Sequence, residues 1–179
     1  MSIDLGDRIL DAAQRLAFRA GARRMSLSDV ATLAGVSRPT IYRYFASKEE
    51  LIDALGKRER QRLAAAMADA TSEAIGVARL EAAVEVIAAF VEAQPPGRLL
   101  DLEPGFAHEQ MAQALPTLTE GLTVVLRRCA REGAFASAVD PCDLAGAIAR
   151  TALSHYIFPD ADRAAVRRHL RAAAGLPAR

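Results

Sequence analysis

Apolar residues recur along most of this chain at the three-and-four spacing of amphipathic helices. Ile9, Leu10, Ala13, Leu16, Ala17 and Ala20 predict a first helix, with Asp4 placed to cap it, Asp7 in its first turn and Gly21 to end it. Ser26-Leu-Ser-Asp29 has the form of a capping box and opens a short second helix bearing Leu27, Val30, Ala31 and Ala34. Gly35 supplies the left-handed residue on which that helix stops. Ser37 then caps a third helix, whose Pro39 lies in the first turn, where a missing N–H costs nothing. On this third helix Ile41 and Phe45 share one face, Pro39, Thr40 and Arg43 point the opposite way, and Tyr42 and Tyr44 flank them.

Ser47 to Glu50 is a second capping box, opening a long fourth helix through Leu51, Ile52, Leu55, Leu63 and Met67. Residues 77 to 93 predict a fifth, with Val77, Leu80, Val84, Ile87, Ala88 and Val91 apolar, broken by Gln94-Pro95-Pro96-Gly97. Arg98 to Pro116 reads as irregular, interrupted by Pro104-Gly105. A helix opening near Pro116 uses Leu118, Leu122, Val125, Leu126 and Cys129 up to Gly133. Asp140-Pro141 caps and opens another, with Leu144, Ala145, Ile148, Ala152 and His155, ended by Pro159. Asp160 or Asp162 caps a last helix carrying Val166 and Leu170, with Gly175 beyond it. The expected fold is all-α, with about nine to ten helices.

Composition sharpens this picture in two places. The hydrophobic fraction is 51% but the aromatic fraction only 5%, so Ala and Leu carry the apolar content, as suits packed helices. Formal net charge is +1, yet residues 1–62 hold 12 Lys/Arg against 8 Asp/Glu, while the remainder is net acidic. A basic head on an acidic body suits a polyanion at one end only. The acidic start lacks the basic and apolar run of a signal peptide. No uncharged run approaches the roughly 20 residues of a membrane span. We therefore expect a cytoplasmic protein without a membrane partner. Cys129 and Cys142, neither paired nor clustered, read as buried thiols in a reducing compartment.

Two short helices joined by a Gly-containing turn, the second polar and cationic outside, form a helix-turn-helix pattern. The stretch Ser28 to Leu51, SDVATLAGVSRPTIYRYFASKEEL, resembles the DNA-binding signature of the TetR family of bacterial transcriptional repressors, and the likeness is dense from Ile9 to Leu55. It implies an N-terminal three-helix DNA-binding domain over residues 1–46 and a C-terminal helical ligand-binding and dimerisation domain over 47–179. On the family pattern Arg38, Thr40 and Arg43 would face bases, with Pro39 on the same outer face. Ser28, Ser37, Tyr42, Tyr44 and Lys48 would complete the DNA-binding set, Tyr42, Tyr44 and Lys48 at phosphates. Arg23 and Arg24 in the preceding loop are either further phosphate contacts or simply solvated. The fourth helix would link ligand binding to the spacing of two reading heads.

The implied function is a ligand-inducible repressor that binds a palindromic operator on double-stranded DNA as a homodimer, nucleoid-associated when bound. Leu118, Leu122, Val125, Leu126, Leu144, Ile148, Ala152 and His155 are the candidate dimer interface, His155 being core or interface rather than a switch. The irregular segment offers Leu99, Leu102, Phe106, His108 and Met111 as a ligand-cavity lining, or else merely closes the core. The many Ala, Leu and Val residues favour an apolar inducer. Asp101, Glu103, His108 and Glu109 invite a metal reading, but adjacent His108 and Glu109 diverge by about 100° on a helix, so neither metal nor cofactor is expected. The rival function is a small-molecule-binding helical protein that no longer reads DNA, which intact Arg38, Arg43 and Lys48 argue against. An enzyme is not expected, since no nucleophile-base pair or phosphate-cradling loop is present.

Overall fold

The computed structural model describes residues 4–21, 24–93, 104–134, 139–158, 162 and 164–177, apart from the side chains of Ala20 and of residues 104–107. Among these residues there are eight helices and no strand: α1 (Leu5–Ala20), α2 (Leu27–Ala34), α3 (Arg38–Tyr44), α4 (Lys48–Thr71), α5 (Val77–Glu92), α6 (Pro104–Arg131), α7 (Pro141–Ile157) and α8 (Ala164–Ala173). No helix among them is long and apolar enough to cross a membrane.

Two cores organise the chain. The N-terminal core packs Ile9, Ala12 and Ala13 of α1 against Leu27, Val30 and Ala31 of α2, Ile41 of α3 and Phe45 behind it. Leu51 and Ile52, from the first turn of α4, belong to this core as well. The C-terminal core joins Leu80, Val84 and Ile87 of α5 to Leu122 and Leu126 of α6, Ile148 and Ala152 of α7 and Leu170 of α8. Met67, near the far end of α4, lies in that second core. One 24-residue helix therefore enters both cores, running about 36 Å at 1.5 Å per residue.

The fastening between α1 and α4 is polar. Arg58 is 9% exposed and donates through Nη1 to Asp11 Oδ1 at 2.8 Å and to the Asp7 carbonyl at 3.3 Å. Its Nη2 donates to Gln14 Oε1 at 3.0 Å, and Arg62 Nη1 reaches the same oxygen at 3.1 Å. At the opposite end of the molecule, buried Arg171 ties α8 to Glu81 of α5 at 2.9 Å.

Three expectations are corrected. The segment read as irregular up to Pro116 is, from Pro104, part of a single 28-residue helix containing Pro116, and eight helices are found among the described residues where nine to ten were expected. Pro116 and Ala112, whose carbonyl loses its usual N–H partner, both lie on the exposed side of α6, where water can take the missing donor's place. Cys129 is buried as expected, but Cys142 is exposed, because it sits in the first turn of α7 ahead of the covered stretch that begins at Ala145. Leu122, Leu126 and Ile148, assigned from sequence to an intersubunit seam, are 0% exposed within one chain, and Val125 and Ala152 are buried too. Within one chain they fill the protomer's own core. Leu118, Leu144 and His155 are half-buried.

Candidate nucleic-acid interface and internal cavity

The reading head is shaped by short-range hydrogen bonds. Ser26 Oγ accepts from Asp29 N–H at 3.2 Å while Asp29 Oδ2 accepts from Ser26 N–H at 3.2 Å, closing the capping box at the start of α2. Gly35, at φ 66° and ψ 38°, turns the chain in the left-handed region and ends α2. Arg8 of α1 donates through Nη2 to the Ala34 carbonyl at 2.9 Å, so the turn is held from behind by a residue the sequence reading did not single out. Ser37 Oγ then accepts from Thr40 N–H at 3.2 Å and starts α3.

Ile41 at 0% and Phe45 at 8% exposure anchor α3 on the N-terminal core, and the opposite face stands clear. Arg38, Pro39 and Arg43 are exposed, as are Ser37, Tyr42 and Tyr44. The Arg43 guanidinium lies over the Tyr44 ring, 5.8 Å from its centre, which holds both side chains outward. Thr40 is half-buried, with its hydroxyl 2.7 Å from Ser37 Oγ. Ser28, in the first turn of α2, and Lys48, the first residue of α4, are also half-buried. Arg24 is exposed; Arg23 lies outside the described residues.

Ser47 Oγ caps α4 by accepting from Glu50 N–H at 3.1 Å. The reciprocal bond differs from the expected box: Glu50 Oε2 accepts from Ala46 N–H, one residue further back, at 2.6 Å. The carboxyl of neighbouring Glu49 is held below its ordinary pKa, first by the backbone N–H groups of this helix start and then by the Ser47 hydroxyl. The N-terminus of α4 thus attracts negative charge, and Lys48 is carried there.

A cavity of about 140 Å³ opens between α4, α5, α6 and α7, reaching Ala17 and Met25 of the head. Leu55, Leu63 and Met67 of α4, Ile87 and Phe90 of α5, Met111 and Leu118 of α6 and Tyr156 of α7 make it largely apolar. Of the ligand set expected from sequence, Met111 lines this space, and His108 is exposed and stands outside it. Leu99 and Leu102 lie outside the described residues, as does the side chain of Phe106. The sequence reading missed the contributions of α4, α5 and α7. One signal was present: Gly56 interrupts an otherwise good helix former run, a choice that costs about 1 kcal/mol relative to Ala and implies a close approach. The C-terminal end of α7 carries His155, whose ring stacks on His169 of α8 with centres 5.2 Å apart. Among the described residues, no group of three or more His, Cys, Asp or Glu side chains is arranged to hold a metal ion.

A supported seven-residue helix with an exposed cationic face, set in a three-helix head and followed by a larger helical body with an apolar cavity, defines an all-α helix-turn-helix protein. Residues 9–55 match the family model described as "Bacterial regulatory proteins, tetR family". It is 47% identical over 57 residues to the uncharacterized HTH-type transcriptional regulator Rv1255c of Mycobacterium tuberculosis, covering 32% of this chain and 28% of that protein. It is 31% identical over 118 residues to the HTH-type transcriptional activator FasR of Mycolicibacterium smegmatis, covering 65% of this chain and 54% of the other. The matched stretches thus span from about a quarter to about half the length of these two relatives. The fold as a whole is similar to the fatty acid degradation regulator FadR from Bacillus halodurans, with TM-score 0.73 and 21% identity over 100% of both chains.

Proposed function

We propose that this protein is a sequence-specific transcriptional regulator that represses from a palindromic operator as a two-fold dimer and is released by a small molecule held in its internal cavity. The observation that carries the reading is α3. Its apolar residues are consumed in anchoring, and Arg38, Pro39, Tyr42, Arg43 and Tyr44 are left facing outward on a rigid support. Arginine bound through two donors to guanine is the commonest base-specific contact, so each half-site should contain at least one G. The phenols and Lys48 would then meet phosphates, which position the head without reading sequence.

Dimerisation is proposed through the outer faces of α6 and α7. The surface there comprises Thr117, Glu120, Val124 and Arg128 of α6 with Ala147, Arg150 and Ser154 of α7, and Val124 is 58% exposed at its middle. Two heads related by a dyad would read half-sites about 34–36 Å apart. Release requires an effector that favours the arrangement in which the heads miss that spacing, since equal affinity for both states shifts nothing. Helix α4 is the mechanical link, because Leu51 and Ile52 near its start lie in the head's core and its residues from Ile52 to Met67 line the cavity.

The test is binding-site selection from a random duplex library at two salt concentrations. A recovered palindrome of dyad spacing supports a dimeric reader, whereas weak, salt-sensitive binding with no enrichment would refute it. With the operator in hand, Arg43→Ala should cost about 1–3 kcal/mol and relax one position, while Lys48→Ala weakens all sequences alike and flattens the salt slope. Transcription in vitro from a template carrying the operator separates repression from the activation ascribed to FasR.

A further inference from the structure

The cavity is apolar except along one wall, where Gln110 of α6 and Arg60 of α4 come together over Gly56. A Cβ on Gly56 would stand 2.5 Å from Gln110 Oε1 and 3.2 Å from Arg60 Nη1, so a side chain at this position would displace the ends of both. Gln110 is 7% exposed, and its Nε2 donates to Asp53 Oδ1 at 3.2 Å. That bond sets the orientation of the amide, because the reversed one would press two acceptors together. Gln110 Oε1 is therefore turned toward Gly56 and Arg60, and among the described residues no donor reaches it.

Arg60 carries the complementary feature. Its Nη2 donates to the neutral Gln113 Oε1 at 3.0 Å, and among the described residues it has no carboxylate partner. Glu59, the other charged lining residue, is about 100° further round α4 and accepts from Gln14 of α1 at 3.4 Å. Among the described residues, a cation without a carboxylate partner and an acceptor without a donor thus share one wall of a largely apolar space. Both groups line the cavity, and one ligand can satisfy both.

We infer that the cavity takes a small hydroxy acid with an apolar, ring-sized body. Its carboxylate would pair with Arg60 and its hydroxyl would donate to Gln110 Oε1. A single guanidinium matches a monoanion rather than a phosphate. The volume of about 140 Å³ is close to the roughly 150 Å³ that accommodates benzene, which limits the body to about one ring. Phe90 and Tyr156 offer ring contacts, and Met67 and Met111 offer polarizable sulfur beside them. The inference rests on reading the cavity as the effector site and names the chemistry it accepts.

The three hydroxybenzoate isomers, with benzoate, phenol and benzamide as controls, test this by titration calorimetry on the full chain without DNA. At least one hydroxybenzoate should bind about tenfold or more tightly than benzoate and phenol. Arg60→Gln should remove that advantage while leaving phenol unaffected, Arg60→Lys should keep part of it, and Gln110→Leu should lower hydroxybenzoate to the level of benzoate. Circular dichroism establishes that each variant is folded. Benzamide or phenol binding as tightly as every hydroxybenzoate would overturn the inference, as would unchanged binding by folded Arg60→Gln or no hydroxybenzoate binding at millimolar concentration. Failure of operator selection would sink the regulator reading and leave this result standing. Release of operator by neutral compounds alone would sink this inference and leave the regulator.

Discussion

Replacing Arg58 with alanine would show whether the reading head is fastened to α4 through α1. The guanidinium makes three hydrogen bonds to α1, to the Asp7 carbonyl, Asp11 Oδ1 and Gln14 Oε1, and the ion pair to Asp11 is the shortest at 2.8 Å. The Asp11 side chain is 39% exposed, so water can resolvate it once Arg58 is gone, and the pair deserves less than a fully buried one. Gln14 keeps a partner in Arg62. The loss of one charge-assisted bond, two weaker ones and the packing of the arginine stem comes to about 2–3 kcal/mol, against a gain of a few tenths from alanine's helix propensity. For a chain of this length that is a fall in Tm of about 5–10 °C. Thermal unfolding followed by circular dichroism measures it, and Arg58→Met, which keeps the stem, should recover part of the loss. Operator affinity should fall more than affinity for random DNA, because a loosened head no longer holds dyad spacing. If Arg58→Ala melts within about 2 °C of the parent and binds operator unchanged, α1 is not the fastening.

Ile41→Ala removes the fully buried anchor of α3, and we expect a destabilisation of about 2–4 kcal/mol by chemical denaturation, with DNA binding lost before the C-terminal core unfolds. The carboxyl of Glu132 is held below its ordinary 4.5, chiefly by the Gly76 N–H at 2.6 Å and then by the Arg79 guanidinium at 2.9 Å. Its folded-state pKa is depressed, so its stabilisation is complete above about pH 4.5 and fades as pH falls to and through the lower value. Glu132→Gln should therefore be less stable than the parent at pH 7 and lose less on acidification, and parallel acid titrations of the two would contradict this. A thiol reagent should modify Cys142 in the native protein at once, whereas Cys129, buried and with its pKa raised first by desolvation, should react only on unfolding. Two fast-reacting thiols would show that the C-terminal core is open.

Much of the reading head was legible without coordinates because its determinants act over three or four residues. The Ser26–Asp29 box, the left-handed Gly35, the Ser37 cap and the separation of Ile41 and Phe45 from Arg43 are properties of the local chain, and each is found in the structure. The body was legible only as a set of helices. A period of 3.6 says which residues share a face and is silent about which neighbour covers it. So Leu122, Leu126 and Ile148 were recognised as apolar faces of α6 and α7, and only the packing of α5 and α8 against them turned those faces inward rather than toward a partner. Pro116 shows the same limit from the other side. Its local preference is to end a helix, and the packing of α6 against α4, α5 and α7 holds it continuous across Pro116, where the freed carbonyl can meet water. The cavity wall was least visible of all, because Gly56, Arg60 and Gln110 come from two helices about fifty residues apart, and their shared chemistry exists only where α4 and α6 cross.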